Sequence, residues 1–458
     1  MLENKKILIA GAGISGRGAA RLLGRAGYGA AIYDGKEDLD TEAIKADLPE
    51  GMDISFELGE FRDELADTYD LLIMSPGIAI DNPAPRAFFE KNKPVWGEIE
   101  LASAFCKGRI AAITGTNGKT TTTALTGSIF EAYYDSVFVV GNIGIPFTSV
   151  ALDTREDSVI AAEISSFQLE TTVDFHPAVS AVLNVTPDHL DRHKTMEVYA
   201  DTKLSIAKKQ TGEEVILLNY DDPITRAMAG KTPARPVMFS RLADLPEGIL
   251  LKEEGDRQIF VIRQNGEEIP VCGTDEIRLL GSHNHENILA AIGIAWYMGV
   301  PAGIIRRAVM DFKAVEHRIE YVDTVNGVDY YNDSKGTNPD AAIKGIQAME
   351  KPTILLGGGY DKKSTYDEWI EAFDGKVKCL ILMGATAEAI GQTAIRHGFD
   401  QIIYADSLEE AMEAARKQAE PGDAVLLSPA CASWGMFKNY EVRGQVFKDI
   451  VRSYKSEE

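Results

Sequence analysis

The segment Gly115-Thr-Asn-Gly118-Lys119-Thr120 follows the apolar run Arg109–Ile113 and precedes a threonine-rich stretch of helical length. That setting suits a phosphate. Glycines let successive backbone N–H groups converge on phosphate oxygens, and the N-terminus of the following helix adds partial positive charge. Lys119 can neutralise β- and γ-phosphate charge there, and the Thr120 hydroxyl can ligate Mg2+. The loop is a shortened form of the GxxxxGK[ST] pattern, because Ile113 stands where its first glycine would be.

Two further stretches carry groups that could work beside a phosphate. Glu163 ends the apolar run of "SVIAAEISSFQLE", where a metal-binding carboxylate belongs in an open α/β sheet. "AVLNVTPDHLDRH" ends another such run with Asp188, His189, Asp191 and His193, a mixture of carboxylate and imidazole that suits a divalent ion and bound water. Read singly, Glu163 is equally a buried pair-former and His189 equally a loop or capping residue. A third glycine turn, Gly11-Ala-Gly13-Ile-Ser-Gly16, follows the strand "KILIA", with Asp34 ending the next strand. This GxGxxG spacing also fits a dinucleotide such as NAD, which stays open on these residues alone.

The elements that must position these residues are short β-branched runs alternating with helix-length stretches, the pattern of parallel α/β architecture. Three series are visible: "KKILIAGAG", "GAAIYD" and "YDLLIMSPG"; then "GRIAAITG", "SVFVVGN", "SVIAAEIS" and "AVSAVLNV"; then "VDYYNDS", "KPTILLGGG", "KCLILMGA" and "DAVLLSPA". Breaks near Lys93 and Ala314 divide the chain into residues 1–94, 95–314 and 315–458, expected as three α/β domains in line. Between residues 212 and 280 the alternating, turn-rich pattern predicts an antiparallel excursion, with Asn265-Gly266 as a hairpin turn.

Composition bounds the function. The 458 residues allow two to four domains of about 100–200 residues each. A net charge of −23 repels polyanions and argues against a general nucleic-acid or acidic-membrane binder. Cys106, Cys272, Cys379 and Cys431 are far apart, neither a disulfide framework nor a zinc pattern, and read as free thiols of a reducing cytoplasm. No apolar stretch approaches the roughly 20 residues that span a bilayer.

Taken together, "TGTNGKTTT", "GNIG" (Gly141–Gly144), "EISSFQLE", "NVTPDHLDRH" and "DTKLSIAKKQ" resemble the Mur ligase family, cytoplasmic ATP-dependent ligases of peptidoglycan precursors. "NDSKGTNPDA" and "LLSPACASW" are similar to the branch that adds D-glutamate to UDP-N-acetylmuramoyl-L-alanine, and the Asp-Asn-Pro-Arg motif of the diaminopimelate-adding sibling is absent. The resemblance implies a Rossmann-like first domain, a P-loop ATPase-like central domain, a Rossmann-like third domain, and amide synthesis through an acyl phosphate. It also implies small-molecule substrates only, no nucleic acid or membrane partner, and a monomer.

By the same resemblance, Gly115, Thr116, Asn117, Gly118, Lys119, Thr120 and Thr121 hold the ATP phosphates, with Asn284 and Asn287 on the adenine side and Arg318 and Asp333 clamping the ribose. Thr120 and Glu163 hold one Mg2+, His189 a second, and Lys203 serves as a carbamate ligand. Lys119, Glu163, His189 and Lys203 are the catalytic set. Ile14, Ser15, Asp34, Lys36 and the Ser75-Pro76-Gly77 turn receive the uridine diphosphate, which displaces NAD as the reading of the first domain. Asn142, Ser165 and Gln168 lie toward the reacting end. Lys335, Thr337, Ser433, Tyr440 and one of Lys362 or Lys363, with Lys362 favoured, receive D-glutamate. Where the family often has Asp-Gln after "SPACASW", this chain has Gly435-Met436. Two alternatives remain: another amino-acid ligase, such as a folylpolyglutamate synthetase, and a non-catalytic nucleotide-binding regulator.

Overall fold

In the computed structural model, residues 2–142, 145–313 and 315–455 are described. Ile143 and Gly144 of "GNIG" and the expected boundary at Ala314 fall outside them. Among the described residues three sheets follow one another along the chain, of five, nine and six strands.

The first sheet is parallel, in the order Ile54–Leu58, Ala30–Asp34, Ile7–Ala10, Leu71–Met74, Val95–Gly97. Ile7–Ala10 and Leu71–Met74 are buried at every position, which is why they read as unbroken apolar runs. Val95–Gly97 pairs with Leu72–Met74, so this sheet extends to Gly97.

The second sheet runs Glu267–Gly273, Arg257–Gln264, Gly248–Glu254, Arg235–Ser240, Val215–Asn219, Val179–Val182, Arg109–Thr114, Val159–Glu163, Val137–Gly141. Its pairings are parallel from Val137–Gly141 through to Gly248–Glu254. The antiparallel excursion is therefore narrower than the alternation of residues 212–280 suggests. Among the described residues of this sheet the antiparallel pairings are those that Arg257–Gln264 makes with Gly248–Glu254 and with Glu267–Gly273, the latter joined at Asn265 and Gly266 with φ of 54° and 78°. Both central residues at positive φ is the turn that Asn-Gly favours.

The third sheet runs Glu320–Val325, Val328–Asn332, Ala424–Leu427, Thr353–Gly357, Val377–Met383, Ile402–Ala405, parallel except for its first pair. The chain divides into two compact units. One contains the first two sheets, up to Ile277 and again over His285–Met310; the other comprises Arg278–Asn284 and the chain from Asp311 onward. Fully burying one Leu, Ile or Val side chain is worth about 1.5–3 kcal/mol, so the buried strands of these sheets contribute heavily to stability beneath the loops that follow them. No helix among the described residues is long and apolar enough to cross a membrane.

Candidate functional site

The glycine loop lies where the topology predicts, between the strand Arg109–Thr114 and the helix Lys119–Glu131. Gly118 caps that helix at φ 85°, and a Cβ there would stand 2.1 Å from Asn287 Oδ1. Glycine is required on both counts. The loop is held from a neighbouring strand end. Thr116 N–H donates to Asn184 O (2.9 Å), Asn117 N–H to Asn184 Oδ1 (2.8 Å), and Asn184 Nδ2 returns a bond to Asn117 O (3.1 Å). The Lys119 ammonium donates to Gly115 O and Thr116 O, both at 2.9 Å. Thr120 and Thr121 are buried in the first turn.

Glu163 ends the strand Val159–Glu163, level with Ile113 on one side and Gly141 on the other. It is buried. Asn142 Nδ2 donates to its Oε1 at 2.9 Å, while Oε2 has no hydrogen-bond partner among the described residues. A buried carboxylate oxygen left unmatched costs on the order of 1–3 kcal/mol or more, which a cation would offset. The donor set therefore fits a hard divalent ion.

The two histidines of "DHLDRH" separate. His189 stands at φ 54°, N-caps the short helix Leu190–His193, and keeps a half-exposed ring. His193 is buried, with Nε2 2.9 Å from Ser166 Oγ, and burial lowers its pKa. His189 can reach a ligand; His193 is a packing residue. Lys203, near the end of the helix Met196–Leu204, is buried and donates to Gly115 O at 2.8 Å. Burial, and secondarily the Lys119 charge, bring its pKa down to about 6. It lies 4.3 Å from the Tyr199 ring centroid, and the Tyr199 hydroxyl is 3.2 Å from Thr116 Oγ1.

Ser165 and Gln168 form a capping box on the helix Ser166–Leu169. Gln168 N–H donates to Ser165 Oγ (3.3 Å) and Ser165 N–H to Gln168 Oε1 (2.9 Å). Asn287 accepts from Thr122 Oγ1 at 3.4 Å; Asn284, three residues earlier on the helix Ser282–Tyr297, donates to Leu280 O at 2.6 Å.

At the amino-terminal turn, Gly11 has φ 94° and a Cβ on Gly16 would lie 1.8 Å from Gly11 O. Asp34 accepts from Ala12 N–H (2.9 Å) and Lys36 N–H (3.1 Å), so its carboxylate closes the turn. Ser75 Oγ is buried beside Gly11 without a partner among the described residues, and Ile14 is 82% exposed. An unmatched hydroxyl and an exposed apolar side chain at a glycine turn suit a nucleotide. Pro76 and Gly77 continue the Ser75 turn, closed by Ile78 N–H to Ser75 O at 3.0 Å; Ser15 lies in the first turn of the helix Ile14–Arg25.

In the second unit, Asp333 follows the strand Val328–Asn332 and accepts from Ser428 Oγ at 2.6 Å. Burial raises its pKa to about 7 despite that bond and the nearby Arg318. Arg318 sits between His317 at φ 65° and Ile319 at φ 46°, the latter an uncommon conformation for a β-branched residue. Lys335 Nζ is 5.4 Å from the Tyr440 ring centroid, and Thr337 N–H donates to Lys335 O at 2.8 Å. Ser433 is buried, and Lys362 Nζ is 5.2 Å from the ring centroid of the adjacent Trp434. Gly435 takes φ 88°, and Met436 packs against the core of the third sheet. The Gly-Met pair thus makes a turn and an apolar anchor. Arg443, which the sequence reading passed over, is fully buried and donates to Ser334 O at 2.8 Å and Cys431 O at 3.2 Å, joining the two loops. Glu316, His317 and Glu320 bring ligand atoms within 4.8 Å of one another, but the Lys448 ammonium pairs with both glutamates, so this cluster already has its cation.

The chain matches the Mur ligase MurD-like N-terminal domain over residues 5–97, the Mur ligase middle domain over 113–295, and the Mur ligase glutamate ligase domain over 317–431. It is 49% identical over 453 residues to a UDP-N-acetylmuramoylalanine–D-glutamate ligase of Lachnoclostridium phytofermentans, covering 99% of each chain. A ligase of the same description from Lachnospira eligens is 50% identical over 452 residues, again covering 99% of each. Among solved structures, a UDP-N-acetylmuramate-alanine ligase of Thermotoga maritima superposes with a TM-score of 0.60 at 17% identity, covering 99% of this chain and 100% of that one. That likeness concerns the fold.

Proposed function

The chain belongs to the Mur ligase family, and we propose that it joins D-glutamate to UDP-N-acetylmuramoyl-L-alanine at the expense of ATP, in the cytoplasm and as a monomer. The observation that carries this reading is the meeting of a phosphate loop, a buried carboxylate with an unmatched oxygen, and a buried lysine of lowered pKa within one unit.

A carboxylate is a poor electrophile until one of its oxygens becomes a leaving group. The alanine carboxylate attacks the γ-phosphorus of ATP, ADP departs, and the D-glutamate amine attacks the resulting acyl phosphate to release inorganic phosphate. Positioning and charge stabilisation, more than proton transfer, lower such barriers. The amides of residues 115–120 and the Lys119 ammonium hold the β- and γ-phosphates. Thr120 and Glu163 would hold one Mg2+, and His189 with Lys203 as its carbamate a second. Mg2+ supplies charge neutralisation on the phosphate oxygens. A neutral amine is the form that adds CO2, and burial of Lys203 supplies it near neutral pH.

Asn142, Ser165 and Gln168 face the reacting end, and the Gly11–Gly16 and Ser75–Gly77 turns hold the uridine diphosphate, with Ile14, Ser15, Asp34 and Lys36. Asn284, Asn287, Arg318 and Asp333 serve the nucleoside of ATP. Lys335, Thr337, Lys362, Ser433 and Tyr440 serve D-glutamate.

Phosphate release from ATP tests the reading, with UDP-N-acetylmuramoyl-L-alanine and, in parallel, D-glutamate, L-glutamate, L-lysine, diaminopimelate or no amino acid. Release dependent on D-glutamate is expected. Equal release with L-glutamate removes the stereospecific part, and no release with any amine removes the ligase.

A further inference from the structure

Arg192 is not part of the reacting set, yet its guanidinium is committed on every side. Nη1 donates to Pro76 O at 2.9 Å and Nη2 to Ile78 O at 3.1 Å, the two carbonyls that flank Gly77. Nε and Nη2 form a forked pair with Glu170, at 3.1 and 2.5 Å to Oε2. The guanidinium carbon lies 4.2 Å from the Phe167 ring centroid, and that ring lies 4.8 Å from the His189 ring. Both members of the ion pair are largely buried, with side-chain exposures of 14% and 8%.

The connection is between two sheets. Pro76 and Ile78 belong to the turn after Leu71–Met74 of the first sheet, whereas Glu170 and Phe167 belong to the loop and short helix after Val159–Glu163 of the second. Arg192 itself lies on the helix Leu190–His193, whose N-cap is His189, and its N–H donates to His189 O at 3.1 Å. One residue therefore ties the turn assigned to the nucleotide to His189, a member of the proposed catalytic set.

We propose that Arg192 is a positioning residue that fixes the distance between the two ends of the sugar-nucleotide substrate, so that binding of the uridine diphosphate aligns the alanine carboxylate. This rests on the assignment of the Ser75–Gly77 turn to the nucleotide. A planar guanidinium spreads its donors over three nitrogens toward two carbonyls and a carboxylate, whereas a lysine ammonium gathers its three donors on one nitrogen. Remote binding energy accelerates a reaction only if the scaffold between the remote and reacting groups is stiff. A misplacement of about 1 Å at the reacting centre can cost on the order of a hundredfold in rate.

The test compares wild type, Arg192→Ala and Arg192→Lys in steady-state ligation, with UDP as a competitive probe of the nucleotide turn alone. The expected result is a kcat lowered on the order of tenfold to a hundredfold in Arg192→Ala, an intermediate kcat in Arg192→Lys, and an unchanged inhibition constant for UDP and KM for ATP. Arg192→Lys keeps a cation on Glu170 and guards against a variant that fails to fold. A UDP constant that weakens in step with kcat would make Arg192 a mere prop of the turn and overturn the inference. Wild-type levels of kcat in both variants overturn it too. If wild-type protein ligates nothing and UDP does not bind, the functional reading itself has failed and the inference falls with it.

Discussion

Lys203 places its side-chain nitrogen 2.8 Å from the carbonyl oxygen of Gly115, the first glycine of the phosphate loop. A buried lysine this close to Lys119 is an electrostatic liability, and its pKa falls to about 6. The cost buys a neutral amine beside the phosphate site. Lys203→Ala is expected to lose turnover and to regain part of it with millimolar-range short-chain carboxylates, whereas wild type is indifferent to them. Initial-rate assays with acetate, propionate and no addition check this. Absence of any restoration counts against the carbamate.

Glu163 depends on Asn142 for the bond that orients it (2.9 Å). Loss of the hydrogen bond behind a metal-binding carboxylate typically costs about 10–100-fold in metal affinity or activity. Asn142→Ala is therefore expected to raise the half-saturating Mg2+ concentration by about that factor. Glu163→Gln should abolish turnover at any Mg2+ concentration. Magnesium titration of ATP-dependent ligation separates the two. An Asn142→Ala enzyme with an unchanged Mg2+ curve would place Asn142 on the substrate side only.

Local residues made some of this legible from sequence, and long-range contacts hid the rest. The phosphate loop and the Asn265-Gly266 hairpin were visible because backbone demands at Gly118 and Gly266, both at positive φ, are written in adjacent residue types. The break near Lys93 puts Val95–Gly97 with the second stretch, because three residues carry no period, yet this strand completes the first sheet. Gly248–Glu254 alternates like a hairpin strand but also pairs in parallel with Arg235–Ser240. Asn184, Tyr199, Arg192 and Arg443 went unnoticed because each acts on a partner about 70 to more than 100 residues away. Asn184 lies in "NVTPDH" and could have been suspected from its place at a strand end; nothing marks Arg443 in advance.

Gly118→Ala separates two costs. The new methyl meets Asn287 Oδ1, and φ of 85° places an L-residue in the left-handed region at a cost of about 1–2 kcal/mol. The single variant is expected to lose thermal stability and ATP binding. The double variant Gly118→Ala with Asn287→Ala should recover the steric part in melting temperature but not the strain. Full recovery would show that the backbone conformation is not what demands glycine.

Asp333 gives a pH signature. Burial raises its pKa to about 7, above the unfolded value of about 3.9, so between these pH values the folded chain holds a proton that the unfolded chain has released. Stability from this group is thus present at low pH and is lost as pH rises through about 7. Asp333→Asn, which mimics the protonated acid, is expected to come close to wild type near pH 4 and to exceed it in melting temperature at pH 8, while losing ATP affinity. Differential scanning at the two pH values checks it. A stability gap of the same size at both would remove the titration of Asp333 from the account.

Lys362 and Lys363 divide by backbone as well as by position. Lys362 Nζ lies over Trp434, next to Ser433, whereas Lys363 stands at φ 59° with its N–H on Asp361 Oδ1 at 2.6 Å. A point charge opposite a substrate carboxylate contributes to binding, and loss of a charge-assisted hydrogen bond costs about 1.5–3 kcal/mol, roughly 10–150-fold in affinity. Lys362→Ala is expected to raise the KM for D-glutamate by that order and leave the KM for ATP unchanged. Lys363→Gly keeps the turn and relieves the left-handed strain, so it should leave the D-glutamate KM near wild type and hold or slightly raise the melting temperature. Substrate titration of both variants decides the assignment: a D-glutamate defect confined to Lys363→Gly would transfer the role to Lys363.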